Sequence, residues 1–117
     1  MHELALMAEL QRLAEAALRQ QGAQRIHRLR LRLGAVAGVD GEALRLAFAV
    51  LVSQATDHSP WRGAVLDLET IQARCFCSNC EQPFSPSDVI HACPRCGQLA
   101  SRLLAGRELE LASLEVS

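Results

Sequence analysis

Lysine and tyrosine are absent from this chain of 117 residues, and its aromatic residues are three Phe and one Trp. All twelve positive charges are therefore arginine, which reads as compositional bias before it reads as function. So few rings exclude a core built on aromatics and leave little for base stacking. A formal net charge of -1 excludes a long-range field that would draw the chain to nucleic acid or an anionic membrane. The longest apolar stretch, Leu46–Val52, falls far short of the ~20 residues that span a bilayer. Glu3, Glu9, Arg12 and Glu15 interrupt the opening segment, so a secretory signal is excluded as well. These absences predict a cytosolic chain whose N-terminus survives as synthesised. Catalytic signatures are missing too: there is no nucleophile–base pairing, no glycine-rich phosphate loop and no H-E-x-x-H. The chain does not read as an enzyme.

Half of the residues are apolar, enough for a core of Leu, Val and Ala in one domain with a small satellite. Leu6, Leu10, Leu13 and Ala17 recur at helical spacing opposite Glu9, Arg12, Glu15 and Arg19, predicting an amphipathic helix over residues 3–20 that ends near Gly22. Leu29, Leu31 and Leu33 then alternate with Arg28, Arg30 and Arg32, as in a strand with one buried and one wet face. After a turn at 38–41, Asp40 is placed to cap a second helix. That helix is apolar nearly all round apart from Arg45, which predicts that it is largely buried. A loop at 57–63 leads to a strand at 64–73, and a last strand lies near 107–116. The expected fold is α+β: a small three-stranded sheet covered by two helices, formed by residues 1–73 plus 106–117. A cysteine-rich insert at 74–105 interrupts it.

Four of the five cysteines form two C-x-x-C pairs, Cys77/Cys80 and Cys93/Cys96, separated by residues 81–92. In a reducing compartment such pairs read as metal ligands and not as disulfides. Two of them surround an ion tetrahedrally, and four protein ligands leave no open position, so a structural zinc in a zinc-ribbon-like subdomain is expected. Iron in a rubredoxin-like arrangement shares this spacing. Gly97, behind the second pair, suits a knuckle that needs positive φ. Cys75 reads as a small hydrophobe at a strand end or as an alternative ligand. His91 reads as a loop histidine or, again, as an alternative ligand. His27 and His58 read as surface residues.

The opening Met1-His2-Glu3 carries a second set of donors. A free α-amine, the first backbone amide and the His2 imidazole lie within a few bonds of one another and can form fused chelate rings. An all-nitrogen, square-planar set suits Ni(II) or Cu(II), not Zn(II) or Mg(II). Glu3 is open to three roles: a carboxylate ligand, an amide donor, or a first-turn acid that offsets the helix dipole.

Taken together, "MHELALM", "LRLGAVAGVDGEALRLAF", "CSNC…CPRCG" and "GRELELASLEV" resemble the hydrogenase nickel-incorporation proteins, the HypA/HybF family, along essentially the whole chain. The resemblance implies a small metallochaperone that loads nickel into [NiFe]-hydrogenase, or in some organisms urease. It also implies a nickel-handling GTPase and the hydrogenase large-subunit precursor as partners, with the chain a monomer or weak homodimer. By the same resemblance Met1, His2 and Glu3 form the nickel site, and Cys77, Cys80, Cys93 and Cys96 hold zinc. Two departures stand out: the additional thiol of Cys75, and Glu81 where a glycine often follows the first pair. The competing reading is a zinc-ribbon module that binds nucleic acid or a protein through Arg28, Arg30 and Arg32.

Overall fold

A computed structural model describes residues 2–117 of the chain. Helix α1 (Glu3–Gln20) buries Leu6, Leu10, Ala14 and Leu18, four apart, together with Met7, three before Leu10, while Arg12 and Glu9 pair one turn apart on its outer side at 2.5 Å. Leu13, expected on the inner stripe, is exposed. Met7 and Ala14 face inward instead, because the stripe drifts along a helix of 3.6 residues per turn. Strand β1 (Ile26–Gly34) follows, then helix α2 (Gly41–Ser53) and strand β2 (Val65–Ile71). β1 and β2 are parallel, and α2 makes the crossover that parallel neighbours require. The final strand, β6 (Leu109–Val116), runs antiparallel along the other side of β1, giving the order β2-β1-β6.

Leu29, Leu31 and Leu33 on β1 are buried, and the first two join Leu6, Leu10, Leu44, Phe48, Trp61 and Leu66 in one core. The opposite sheet face is wet and ion-paired. Arg28 reaches Asp67 on β2 (2.5 Å) and Glu115 on β6 (3.9 Å), and Arg32 reaches Glu69 (3.7 Å) and Glu110 (2.6 Å).

Helix α2 corrects one expectation. Of its residues only Leu44 and Phe48 are buried, whereas Leu46 is 67% exposed and Val50 46%. In a two-layer unit a helix has the sheet on one side only, so an apolar outer face stays uncovered.

The insert contains a second sheet that sequence periodicity did not locate. Strands β3 (Arg74–Cys77), β4 (Gln82–Phe84) and β5 (Arg102–Ala105) pair antiparallel in the order β4-β3-β5. Runs of three or four residues are too short to display a period of two. Where the insert meets the first sheet, two glycine backbones cross closely. Val36 N–H donates to the Gly106 carbonyl at 2.8 Å, and a side chain on Gly34 would run into that same carbonyl. Gly106 itself sits at φ 122°, with Ala73 against the position a Cβ would take. The molecule is elongated, 58 × 25 × 17 Å. Among the described residues, no helix is long and apolar enough to cross a membrane.

Candidate metal centres

The four cysteines of the two C-x-x-C pairs converge. Cys77 ends β3, Cys80 lies in the turn after it, and Cys93 and Cys96 sit on the second knuckle; their sulfurs all lie within 4.8 Å of one another. Backbone bonds shape each knuckle. Cys80 N–H points at the Cys77 sulfur at 3.4 Å, Gly97 N–H donates to the Cys93 carbonyl at 2.7 Å, and Cys93 N–H donates to Gln98 at 2.8 Å. The residue behind each pair takes the left-handed conformation: Gly97 at φ 78° and Glu81 at φ 54°. The second knuckle meets this demand with glycine. The first meets it with a residue whose Cβ makes the conformation costly, about 1 kcal/mol or more.

The spacing fits a tetrahedral thiolate site. Metal–sulfur bonds of ~2.3 Å separate the sulfurs by about 3.8 Å, and Cys77 and Cys96 stand 3.6 Å apart. Cys77 and Cys93 are buried, Cys80 is half-buried and Cys96 is exposed, so the cluster has one wet corner. Local contacts spread the acidities of these thiols. Cys96 is pulled down to about 6, first by a backbone hydrogen bond from Gln98 and then by Asn79. Cys80 is pushed up to about 11, chiefly by desolvation. Cys93 is lowered: burial raises it, but hydrogen bonds from the backbone of Cys96 and Arg95 outweigh that. Four thiolates at this separation repel strongly, and a divalent cation among them removes the repulsion.

Among the described residues the ligand atoms of Cys75 and His91 fall outside this group. Cys75 is fully buried on β3 beside Phe84 and Leu103, and burial raises its thiol pKa, with the charge of Asp88 adding to it. His91 takes φ 58° and lines a cleft between Val36, Ala73 and the 86–89 loop.

In the helix–sheet unit, His2 is the N-cap of α1. Its backbone is extended, its Nδ1 accepts from Leu4 N–H at 3.2 Å, and its carbonyl accepts from Leu6 N–H at 3.0 Å. The side chain is otherwise exposed. Glu3 is held: its carboxylate accepts from Asp40 N–H at 3.4 Å. Asp40 in turn caps α2, its Oδ1 accepting from Glu42 and Ala43 N–H. The N-termini of both helices thus meet at His2, Glu3 and Asp40. Sequence reading found Asp40 as a cap but not its contact with Glu3, because no local pattern links residues 37 positions apart. Met1, the other residue of the expected nickel site, lies outside the described residues.

Comparison with known proteins identifies the family. The family described as "Hydrogenase/urease nickel incorporation, metallochaperone, hypA" matches residues 1–116. Hydrogenase maturation factor HypA of a Picosynechococcus species is 40% identical over 116 residues, covering 99% of both chains. That of Synechococcus elongatus is 44% identical over the same length and coverage. The solution structure of the nickel metallochaperone HypA from Helicobacter pylori superposes with a TM-score of 0.63 at 24% identity, covering 99% of this chain and 97% of that one. A second HypA solution structure gives 0.69 at 24%, covering 100% and 97%. Both structures share the fold described above. The chain belongs to the HypA family of hydrogenase/urease nickel-incorporation metallochaperones.

Proposed function

We propose that Met1, His2 and Glu3 carry Ni(II) for delivery during [NiFe]-hydrogenase maturation, with urease as a second destination, and that Cys77, Cys80, Cys93 and Cys96 hold one structural zinc. The observation that supports the nickel assignment is the placement of His2 and Glu3. Glu3 is tied to Asp40 while the His2 ring stays exposed. The Glu3 carboxylate is therefore held at the start of α2 while the His2 ring remains open to a receiving protein. The ring nitrogen that closes a six-membered chelate with the His2 amide is Nδ1, the same atom that caps Leu4 N–H. Capture therefore costs the helix a cap, about 1 kcal/mol, and the cap re-forms when the metal leaves. A carrier gains from this exchange, since part of the free energy of release is stored in its own first turn.

Zinc supplies a closed tetrahedral crosslink to the insert and no reactive position. On this reading residues 74–105 are a zinc-binding domain and residues 1–73 plus 106–117 a nickel-binding domain. The chain is a carrier and not an enzyme, working in the cytoplasm with a nickel-handling GTPase and the hydrogenase large-subunit precursor. The competing nucleic-acid reading has less support on the sheet face, where Arg28 and Arg32 are held by four carboxylates from β2 and β6 and Arg30 alone of the three stands without such a pair among the described residues.

The terminus itself gives the test. A few residues left ahead of Met1 convert the α-amine to an amide, which lacks the basic nitrogen. Nickel affinity measured by calorimetric titration should then fall roughly 100-fold or more, with the four-cysteine site unchanged. Equal affinity in the extended chain would overturn the N-terminal assignment.

A further inference from the structure

Where the insert joins the first sheet, the crossing of Gly34 and Gly106 is closed by a ring of hydrogen bonds. Gly106 is buried. Its N–H donates to the Glu108 carboxylate at 2.7 Å, and its carbonyl accepts from Val36 N–H at 2.8 Å. The Glu108 carbonyl completes the ring by accepting from Gly34 N–H at 2.7 Å. Beside it, Ala35 N–H donates to the Ile71 carbonyl at 2.8 Å. The start of the 34–40 loop is thus fastened both to the strand that enters the insert and to the segment that leaves it. Its far end is Asp40, whose N–H meets the Glu3 carboxylate. Between these points the bond from Ala37 N–H to the Gly34 carbonyl is internal to the turn, and Val39 adds a partial contact with the core.

Glu108 differs from the other acids of this sheet. Glu69, Glu110 and Glu115 pair with arginines across the strands, whereas Glu108 is half-buried and turned to the backbone. Hydrogen bonds from its own N–H and from Gly106 hold its carboxyl below the usual carboxylate range, against partial desolvation, with the Arg32 charge a smaller addition. We propose that Glu108 is a positioning residue for nickel capture: by fixing Gly106 it fixes the 34–40 loop, and with it the place at which Asp40 receives Glu3. The proposal rests on the nickel reading of Met1, His2 and Glu3. Without the carboxylate, the buried Gly106 N–H has no acceptor, and a glycine has no side chain to limit its backbone. The Val36 bond then loosens with it. The contact of Val39 with the core limits how far Asp40 moves, so the expected loss is several-fold and smaller than that of removing a ligand.

Glu108→Ala and Glu108→Gln on the full-length protein test this. In Glu108→Ala the Gly106 and Val36 amides should exchange roughly ten-fold faster or more, while Leu29 and Leu31 in the core, Trp61 emission and the metal of the four-cysteine site stay unchanged. Nickel affinity by calorimetric titration should fall roughly three- to ten-fold. Glu108→Gln should restore both readouts, because the amide oxygen accepts the same bond without the charge. In the unsubstituted protein the Gly106 and Val36 amides should open together with equal protection, a measurement that does not depend on how any variant folds. Unequal protection, unchanged exchange in Glu108→Ala, faster exchange with unchanged nickel affinity, or a Glu108→Gln variant as deficient as Glu108→Ala would each overturn the proposal. No nickel uptake by the unsubstituted protein would overturn the nickel reading and this proposal with it, and the exchange data, which need no nickel, tell that failure from a failure of the Glu108 clasp.

Discussion

A chelator strong enough to strip the four-cysteine cluster is expected to unfold residues 74–105 while both helices and the β2-β1-β6 sheet remain folded. The insert has few other means of support. Its buried residues are Cys75, Cys77, Phe84 and Cys93, of which two belong to the cluster, so Phe84 is the single large side chain buried there. Full burial of such a side chain contributes about 2–3 kcal/mol, whereas a structural zinc contributes roughly 10–16 kcal/mol, which makes it the dominant stabilising term. The single tryptophan separates the two units. Trp61 is buried edge-on against Phe48 in the helix–sheet core, so its emission should hold steady while the amide resonances of Phe76, Phe84 and Leu103 collapse. Cys77→Ser should reproduce the effect, because its buried sulfur is the cluster's link to β3. Lower pH should act in the same direction: each sulfur gives up a proton to bind metal, so metal retention is greatest at high pH and is lost as pH falls. An insert that keeps its amide dispersion without metal would contradict this expectation.

His2→Ala is expected to cut nickel affinity roughly 100-fold or more while leaving the four-cysteine metal in place. Two effects combine. The substitution deletes the imidazole from the chelate, and it also removes the ring that caps Leu4 N–H. The cap alone costs the helix about 1 kcal/mol, visible as slight fraying of the first turn. His2→Asn isolates the metal effect, because asparagine restores an N-cap oxygen but not the imidazole. Titration calorimetry should therefore find both variants deficient in nickel binding, with helical content recovered only in the second. Nickel affinity recovered by asparagine would mean that the cap, and not the ring nitrogen, is what nickel binding needs.

How much of this was legible in the sequence varies with the range of the signal. The helices and the three long strands follow from periodicity, and the leucine–arginine alternation of β1 was read correctly down to which side faces the core. The knuckles are legible because C-x-x-C is a local pattern: two intervening residues bring one sulfur pair together, and the pairing β3–β4 and β3–β5 does the rest. The apolar composition of α2 predicts a buried outer face, but composition reports a preference, whereas burial depends on a layer that this two-layer fold lacks. The short strands of the insert, the Gly34–Gly106 crossing and the Glu3–Asp40 contact all depend on tertiary placement, and no local pattern encodes them. Glu81 is a partial case. Its departure from glycine was visible, but only the fold shows that the position takes positive φ regardless.

The most direct test of the whole assignment is metal stoichiometry on protein that begins at Met1 with nothing ahead of it, measured by elemental analysis before and after exposure to nickel and desalting. One zinc retained throughout, with one nickel gained and then surrendered to a mild chelator, is the expected result. Zinc alone, with no nickel taken up by the intact terminus, would contradict it.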